Sequence, residues 1–118
     1  MKVRAIDFVV SHVSDIERAK AFYRDVLGIQ APVTQEGGPW IEFGTDPVAF
    51  ALLQMGKPPQ TSIALAVDDV HAAVEELRQK GVTIVMEPVD SPDCHMAAIL
   101  DPDGNVIILH RRKDGTAG

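Results

Sequence analysis

FVVSHVSDIERAKAFYRDVLGI, residues 8–29, and SIALAVDDVHAAVEELRQKGV, residues 62–82, decide how this chain is read. Laid over each other, they bring Phe8 onto Ser62, Val13 onto Val67, Asp15 onto Asp69 and Ile16 onto Val70. Each copy is an apolar strand, an acidic turn, an amphipathic helix and a closing glycine, Gly28 or Gly81. A repeat on this scale predicts one domain made of two similar halves. It also predicts a site in the space that the two halves enclose.

Working outward from the first copy, residues 4–13 read as a strand. Alternation puts Ile6, Phe8, Val10 and His12 on one face and Asp7, Val9, Ser11 and Val13 on the other. Ser14 and Glu17 form an S-x-x-E capping box at a helix start. Ile16, Ala19, Phe22, Tyr23, Val26 and Leu27 make the apolar stripe of that helix. Residues 30–38 read as loop or short strand. WIEFG (40–44) and VAFALLQ (48–54) read as a hairpin around Thr45, Asp46 and Pro47.

The second copy continues in the same order. Asp68 or Asp69 caps a helix that buries Val70, Ala73, Val74 and Leu77. VTIVMEP (82–88) reads as a strand ended by Pro88, and HMAAIL (95–100) and VIILH (106–110) as two more. DPDGN (101–105) is a tight turn between them, and the residues after His110 read as a frayed tail. Each half is therefore β-α-β-β-β. A half of about 55 residues buries too little apolar surface alone, so an α+β fold is predicted in which the two sheets pack together or join into one curved sheet. The expected boundaries are a single domain over 1–118: a first module at 1–55, a linker at 56–60, a second module at 61–113 and a tail at 114–118.

Composition narrows the function classes. The chain has 118 residues, 46% hydrophobic and 24% charged, which is ordinary for a globular domain. The formal net charge of −6 argues against nucleic acid, whose phosphates need a basic face. It suits a cationic small-molecule ligand. One cysteine, Cys94, excludes an intrachain disulfide and fits a reducing cytoplasm. The N-terminal stretch turns polar at Ser11, too early for a secretory core. No apolar run approaches the roughly 20 residues of a membrane helix, so no membrane partner is expected.

The element order, with FYRDVLG (22–28) after the first strand and DPDGN (101–105) before the last, resembles the vicinal oxygen chelate superfamily. Glyoxalase I, extradiol dioxygenases, fosfomycin-resistance and bleomycin-resistance proteins belong to it. The stretch CHMAAILDPDGNVIILHRRK (94–113) also resembles a branch of short members with no assigned reaction. The resemblance covers nearly the whole chain and implies the α+β glyoxalase/bleomycin-resistance fold, with curved mixed sheets enclosing a cavity, and a homodimer. Members that use a metal hold it with His, Glu or Gln on the first and last strands of each half. By the flanking words, those places fall on Phe8, Ser62, Ile108 and Ala51, the last registered less firmly against Leu52. A divalent ion needs nitrogen, oxygen or sulfur ligands converging on it. The resemblance thus implies a member without the usual metal site, with neither metal nor cofactor expected.

Other polar groups remain candidates. His12 and His110 share strand faces with Phe8 and Ile108. They are read either as ligand-binding or acid–base groups at a cavity rim, or as strand-end residues half in solvent. Trp40 and Glu42 share a face, and Glu42 with His12 and His110 is the one displaced metal set worth weighing. His95 is a candidate at the open end of its strand, while Cys94 points the other way and reads as structural. Phe8, Trp40, Phe50 and Met96 line an apolar pocket or simply fill the sheet core. His71 and the run Arg111-Arg112-Lys113 read as solvated.

Three readings follow. The first is a metal-free small-molecule binder of bleomycin-resistance type, sequestering an antibiotic or metabolite. The second is a lyase or isomerase using His12, His110 or His95 as acid–base groups, or a metal at a new place. The third is a protein whose cavity is filled by side chains.

Overall fold

The computed structural model describes residues 1–54 and 60–118. Most of the expected linker, at 56–59, lies outside them. The chain divides into two compact units, one formed by Phe8–Thr61, the other by Met1–Asp7 with Ser62–Gly118. Strand β1 (Val3–Val13) contributes to both. No helix among the described residues is long and apolar enough to cross a membrane.

In the unit Phe8–Thr61, β1 is followed by α1 (Ile16–Ala21), a π-helical turn (Phe22–Val26), β2 (Val33–Gly37), β3 (Trp40–Phe43) and β4 (Ala49–Gln54). The strand order is β2-β3-β4-β1, with β1 parallel to β4 and the other neighbours antiparallel. The cap of α1 is not the predicted Ser14/Glu17 box. Asp15, in extended conformation, accepts from the Arg18 backbone N–H through its carboxylate, 3.1 Å away. The helix starts at Ile16, so Ser14 stands one residue too early to cap it. The predicted apolar stripe also divides. Ile16, Ala19 and Tyr23 pack against Ile41, Phe43 and Leu52, whereas Phe22, Val26 and Leu27 are exposed. The Leu27 N–H bonds to the Phe22 carbonyl, a five-residue step. Widening the helix there rotates the later residues away from the face that α-periodicity assigns them.

The other unit holds β5 (Thr61–Val67), α2 (Val70–Gln79), β6 (Ile84–Asp90), β7 (Cys94–Leu100) and β8 (Val106–Arg112). Its strand order is β5-β8-β7-β6, with β5 parallel to β8 and the remaining pairs antiparallel. Helix α2 buries Val70, Ala73, Val74 and Leu77, as its spacing predicts, against Ala97, Ile99 and Leu109. Asp69 caps it, accepting from the Ala72 N–H at 2.9 Å. Gly81 adopts the left-handed conformation, φ 81°, that closes the helix. The Asp101 carboxylate ties the 101–105 turn by accepting from the N–H groups of Asp103 and Asn105 and from the Asn105 amide.

Two expectations change in this unit. Pro88 does not end β6, which runs on to Asp90. Pairing with β7 shifts between Met86 and Val89, and β6 is the outer strand. A proline is tolerated at such a bulge on an edge, where its missing N–H breaks no ladder. Nor does the chain fray after His110. Strand β8 continues to Arg112, the Arg4 guanidinium donates to the Gly115 carbonyl, and the Gly118 N–H donates to Asp7.

The α+β order read from the repeat is the one found. Each unit carries β-α-β-β-β with its helix on one face of a mixed sheet, and the opposite face presents the positions of chemical interest.

Candidate functional site

Within each unit the strand registers relate the expected metal positions to one another. In one unit Val10 lies opposite Ala51; in the other, Ala64 lies opposite Ile108. The internal repeat maps Val10 onto Ala64, so Ala51 is the counterpart of Ile108. Leu52 faces the other way, into the core under α1.

Phe8 is buried and sets its ring edge-on to Trp40, with centroids 5.4 Å apart. Glu42 lies opposite Ala51 in the sheet, and alternation puts Phe8, Trp40, Glu42 and Ala51 on the face away from α1. In the other unit Ser62, Ala64, Ala98, Ile108 and His110 are buried, opposite the face that packs on α2. The Ser62 hydroxyl is buried without a hydrogen-bond partner among the described residues.

A phenyl ring, a methyl group, a branched alkyl chain and one neutral hydroxyl do not fit a divalent ion. Among the described residues, no group of three His, Cys, Asp or Glu side chains is arranged to hold one.

The remaining candidates separate. His12, half-buried, lies at the end of β1, where Nδ1 is 3.4 Å from the Gln60 side-chain amide. Burial pushes its imidazole below the usual histidine range. It borders a groove of about 550 Å³ together with Ser14, Asp15, Arg18, Phe22 and Tyr23. Glu42 is half-buried and accepts a 3.3 Å hydrogen bond from the Thr34 hydroxyl. Phe50 turns to the α1 face, against Tyr23 and Phe43, and leaves the Phe8 face to Trp40.

His110 is not half in solvent. It is buried, and its Nδ1 meets the Asp7 carboxylate at 2.5 Å. Arg112, read as part of a solvated basic run, joins this pair. Its guanidinium donates 3.1 Å hydrogen bonds to the Asp7 carboxylate and to the Asp7 carbonyl. Burial raises the Asp7 pKa, but hydrogen bonds from His110 and Gly118 and the Arg112 charge outweigh it and hold the carboxyl below its ordinary range. Asp7 is the residue that strand patterning left without a role. The signal was present: an acid in a predominantly apolar strand must find donors if it is buried.

Met96 pairs with His110 across β7 and β8 and shares its face. His95 lies one residue earlier on β7, 3.0 Å from Asp90, which also takes Lys113 at 2.7 Å. The His71 ring, on exposed α2 surface, stands edge-on to His95 at 5.9 Å. That cluster is a partly exposed surface network. Cys94 is half-buried, with its sulfur 3.4 Å from the Ser91 hydroxyl.

Known proteins resemble this chain along most of its length. The model of the glyoxalase/bleomycin resistance protein/dioxygenase superfamily matches residues 5–109. The probable lactoylglutathione lyase of Vibrio parahaemolyticus is 28% identical, over 90% of this chain and 89% of the relative. The lactoylglutathione lyase of Salmonella typhimurium is 29% identical, over 90% of this chain and 91% of the relative. A solved methylmalonyl-CoA epimerase from Streptomyces coelicolor superposes with a TM-score of 0.74 at 17% identity, covering 99% of this chain and all of that one, a likeness of fold alone. Strand order, turn motifs and this match agree: the chain belongs to the glyoxalase/bleomycin resistance protein/dioxygenase superfamily.

Proposed function

We propose that this member binds a small organic molecule, an antibiotic or a metabolite, without a metal at the positions where metal-using members of the superfamily are expected to hold one. The observation that carries this reading is the set Phe8, Ser62, Ala51 and Ile108 at the metal positions, where only Ser62 offers an oxygen. The buried Ser62 hydroxyl, without a hydrogen-bond partner among the described residues, adds support. Leaving such a group unsatisfied costs roughly 1–3 kcal/mol, and a polar atom of a ligand would recover it.

The test is metal analysis of the purified protein after dialysis against Ni²⁺, Zn²⁺, Mn²⁺ and Fe²⁺, with Trp40 fluorescence followed during titration with bleomycin and other small molecules. The reading expects metal far below one equivalent per chain and a saturable Trp40 response to an organic ligand. One equivalent of tightly held metal would sink it.

A second reading is an enzyme of lyase or isomerase type, favoured by the two relatives named as lactoylglutathione lyases. On this chain such chemistry falls to imidazoles acting as acid and base, with His110 oriented by Asp7. It expects lactoylglutathione lyase activity that survives EDTA and is lost in His110→Asn. Activity abolished by EDTA and restored by Ni²⁺ or Zn²⁺ would contradict both readings.

A further inference from the structure

We propose that the groove between the end of β1 and α1 is a second binding site, for a small planar carboxylate such as an aromatic acid. This goes beyond the reading above. The groove is lined by none of Phe8, Trp40, Glu42 or Ala51, so it stands or falls separately.

Its volume, about 550 Å³, lies within the roughly 300–1,000 Å³ of small-molecule sites. Its cation is Arg18. Among the described residues that guanidinium makes one side-chain hydrogen bond, to the Ser14 hydroxyl at 3.1 Å, and no ion pair. Most of its five N–H donors have no partner among the described residues, and their planar fork matches a carboxylate with two parallel hydrogen bonds.

Phe22 supplies the apolar contact. It is 46% exposed, an unusual position for a phenylalanine, and its ring stands edge-on to Tyr23 at 5.4 Å. It opens the π-helical turn, a distortion that often marks functional sites. His12 supplies a polar edge, and burial disfavours the charged form of its imidazole. The Gln60 side-chain amide lies 3.4 Å from its Nδ1.

Asp15 also borders the groove, but one oxygen is engaged as the α1 cap. Its charge offsets that of Arg18, so a bare anion gains little from the groove as a whole. An acid whose ring packs on Phe22 while its carboxylate reaches Arg18 uses both groups.

Amide and side-chain NMR with benzoate, benzylamine and inorganic phosphate as probes tests the proposal. Benzoate is expected to shift signals at residues 11–23 and 60–61, while benzylamine and phosphate leave them in place. Arg18→Gln and Phe22→Ala each should weaken benzoate about tenfold or more, the scale of a lost charge-assisted hydrogen bond or ring contact. Both side chains are exposed, and the unliganded spectra of the variants report whether the fold is kept. Benzylamine binding as well as benzoate, an Arg18→Gln variant with unchanged affinity, no benzoate response, or shifts confined to Phe8, Trp40 and Ala51 would each overturn the proposal. The metal analysis above is unaffected by any of these results.

Discussion

Replacing Asp7 by Asn keeps the side chain's shape and removes its charge. Asp7 has no exposed surface, and its carboxylate accepts from the His110 imidazole, an Arg112 N–H and the Gly118 N–H. An amide has one oxygen for these donors, and its NH₂ meets the donor-only Arg112 and Gly118 N–H groups or forces His110 into the tautomer whose Nδ1 accepts. A hydrogen bond to a charged group contributes about 1.5–3 kcal/mol, and removing one partner from a buried pair costs about 3–5 kcal/mol. Arg112 keeps 21% of its side chain in water and retains its bond to the Asp7 carbonyl, which softens the loss. The expected destabilisation is therefore about 3 kcal/mol. With a urea slope near 1.5 kcal/mol per molar, the unfolding midpoint should fall by about 2 M. The folded-state pKa of Asp7 lies below its ordinary 3.8. A depressed carboxylate stabilises the fold above its unfolded pKa and loses that contribution as pH falls through the folded value. The gap between wild type and Asp7→Asn should thus be full at pH 7 and shrink below about pH 4. Urea unfolding followed by circular dichroism at pH 7, 5 and 3 measures it. A midpoint unchanged at pH 7, or a gap of the same size at pH 3, would refute the charge-pairing argument.

Three further outcomes follow from local contacts. Asp15→Ala should cost about 1 kcal/mol, the usual value of a helix cap, and Ser14→Ala clearly less; an equal loss in both by thermal unfolding would restore the capping box. Ser62→Ala should leave stability unchanged or raise it by up to about 1 kcal/mol, because it removes a buried hydroxyl with no partner among the described residues; a loss above that range would show the hydroxyl bonded in solution. Val74→Ala removes two buried methyl groups, each worth roughly 0.8 kcal/mol, and adds a cavity term. Its expected cost of about 2 kcal/mol lowers the melting temperature by roughly 8 °C, and a fall under 3 °C would count against tight packing there.

The sequence was legible where one element decides its own structure. The spacing of Val70, Ala73, Val74 and Leu77 named the buried face of α2 without error. The repeat, by placing Asp15 over Asp69, contained the true cap of α1, although the S-x-x-E pattern pointed to Ser14. Stripe reading failed at Phe22, Val26 and Leu27 because it assumes an α-helical period, and the π turn breaks that period. The candidate residues fared unevenly for a similar reason. Alternation correctly grouped Trp40 with Glu42, but it carried no information that Phe50 joins the α1 core.

What the sequence alone determined was the order of elements, the two halves, and the side chains present at the expected metal positions. These follow from periodicity, turn chemistry and an internal repeat, all short in range along the chain. Only the tertiary structure decided that Asp7 meets His110 and Arg112, more than a hundred residues away. It alone showed that Ser62 is buried without a partner among the described residues, and that His12, Arg18 and Phe22 border one groove. Such contacts depend on strand pairing between distant segments and on which charges lose their water. Neither is encoded in the spacing of neighbours.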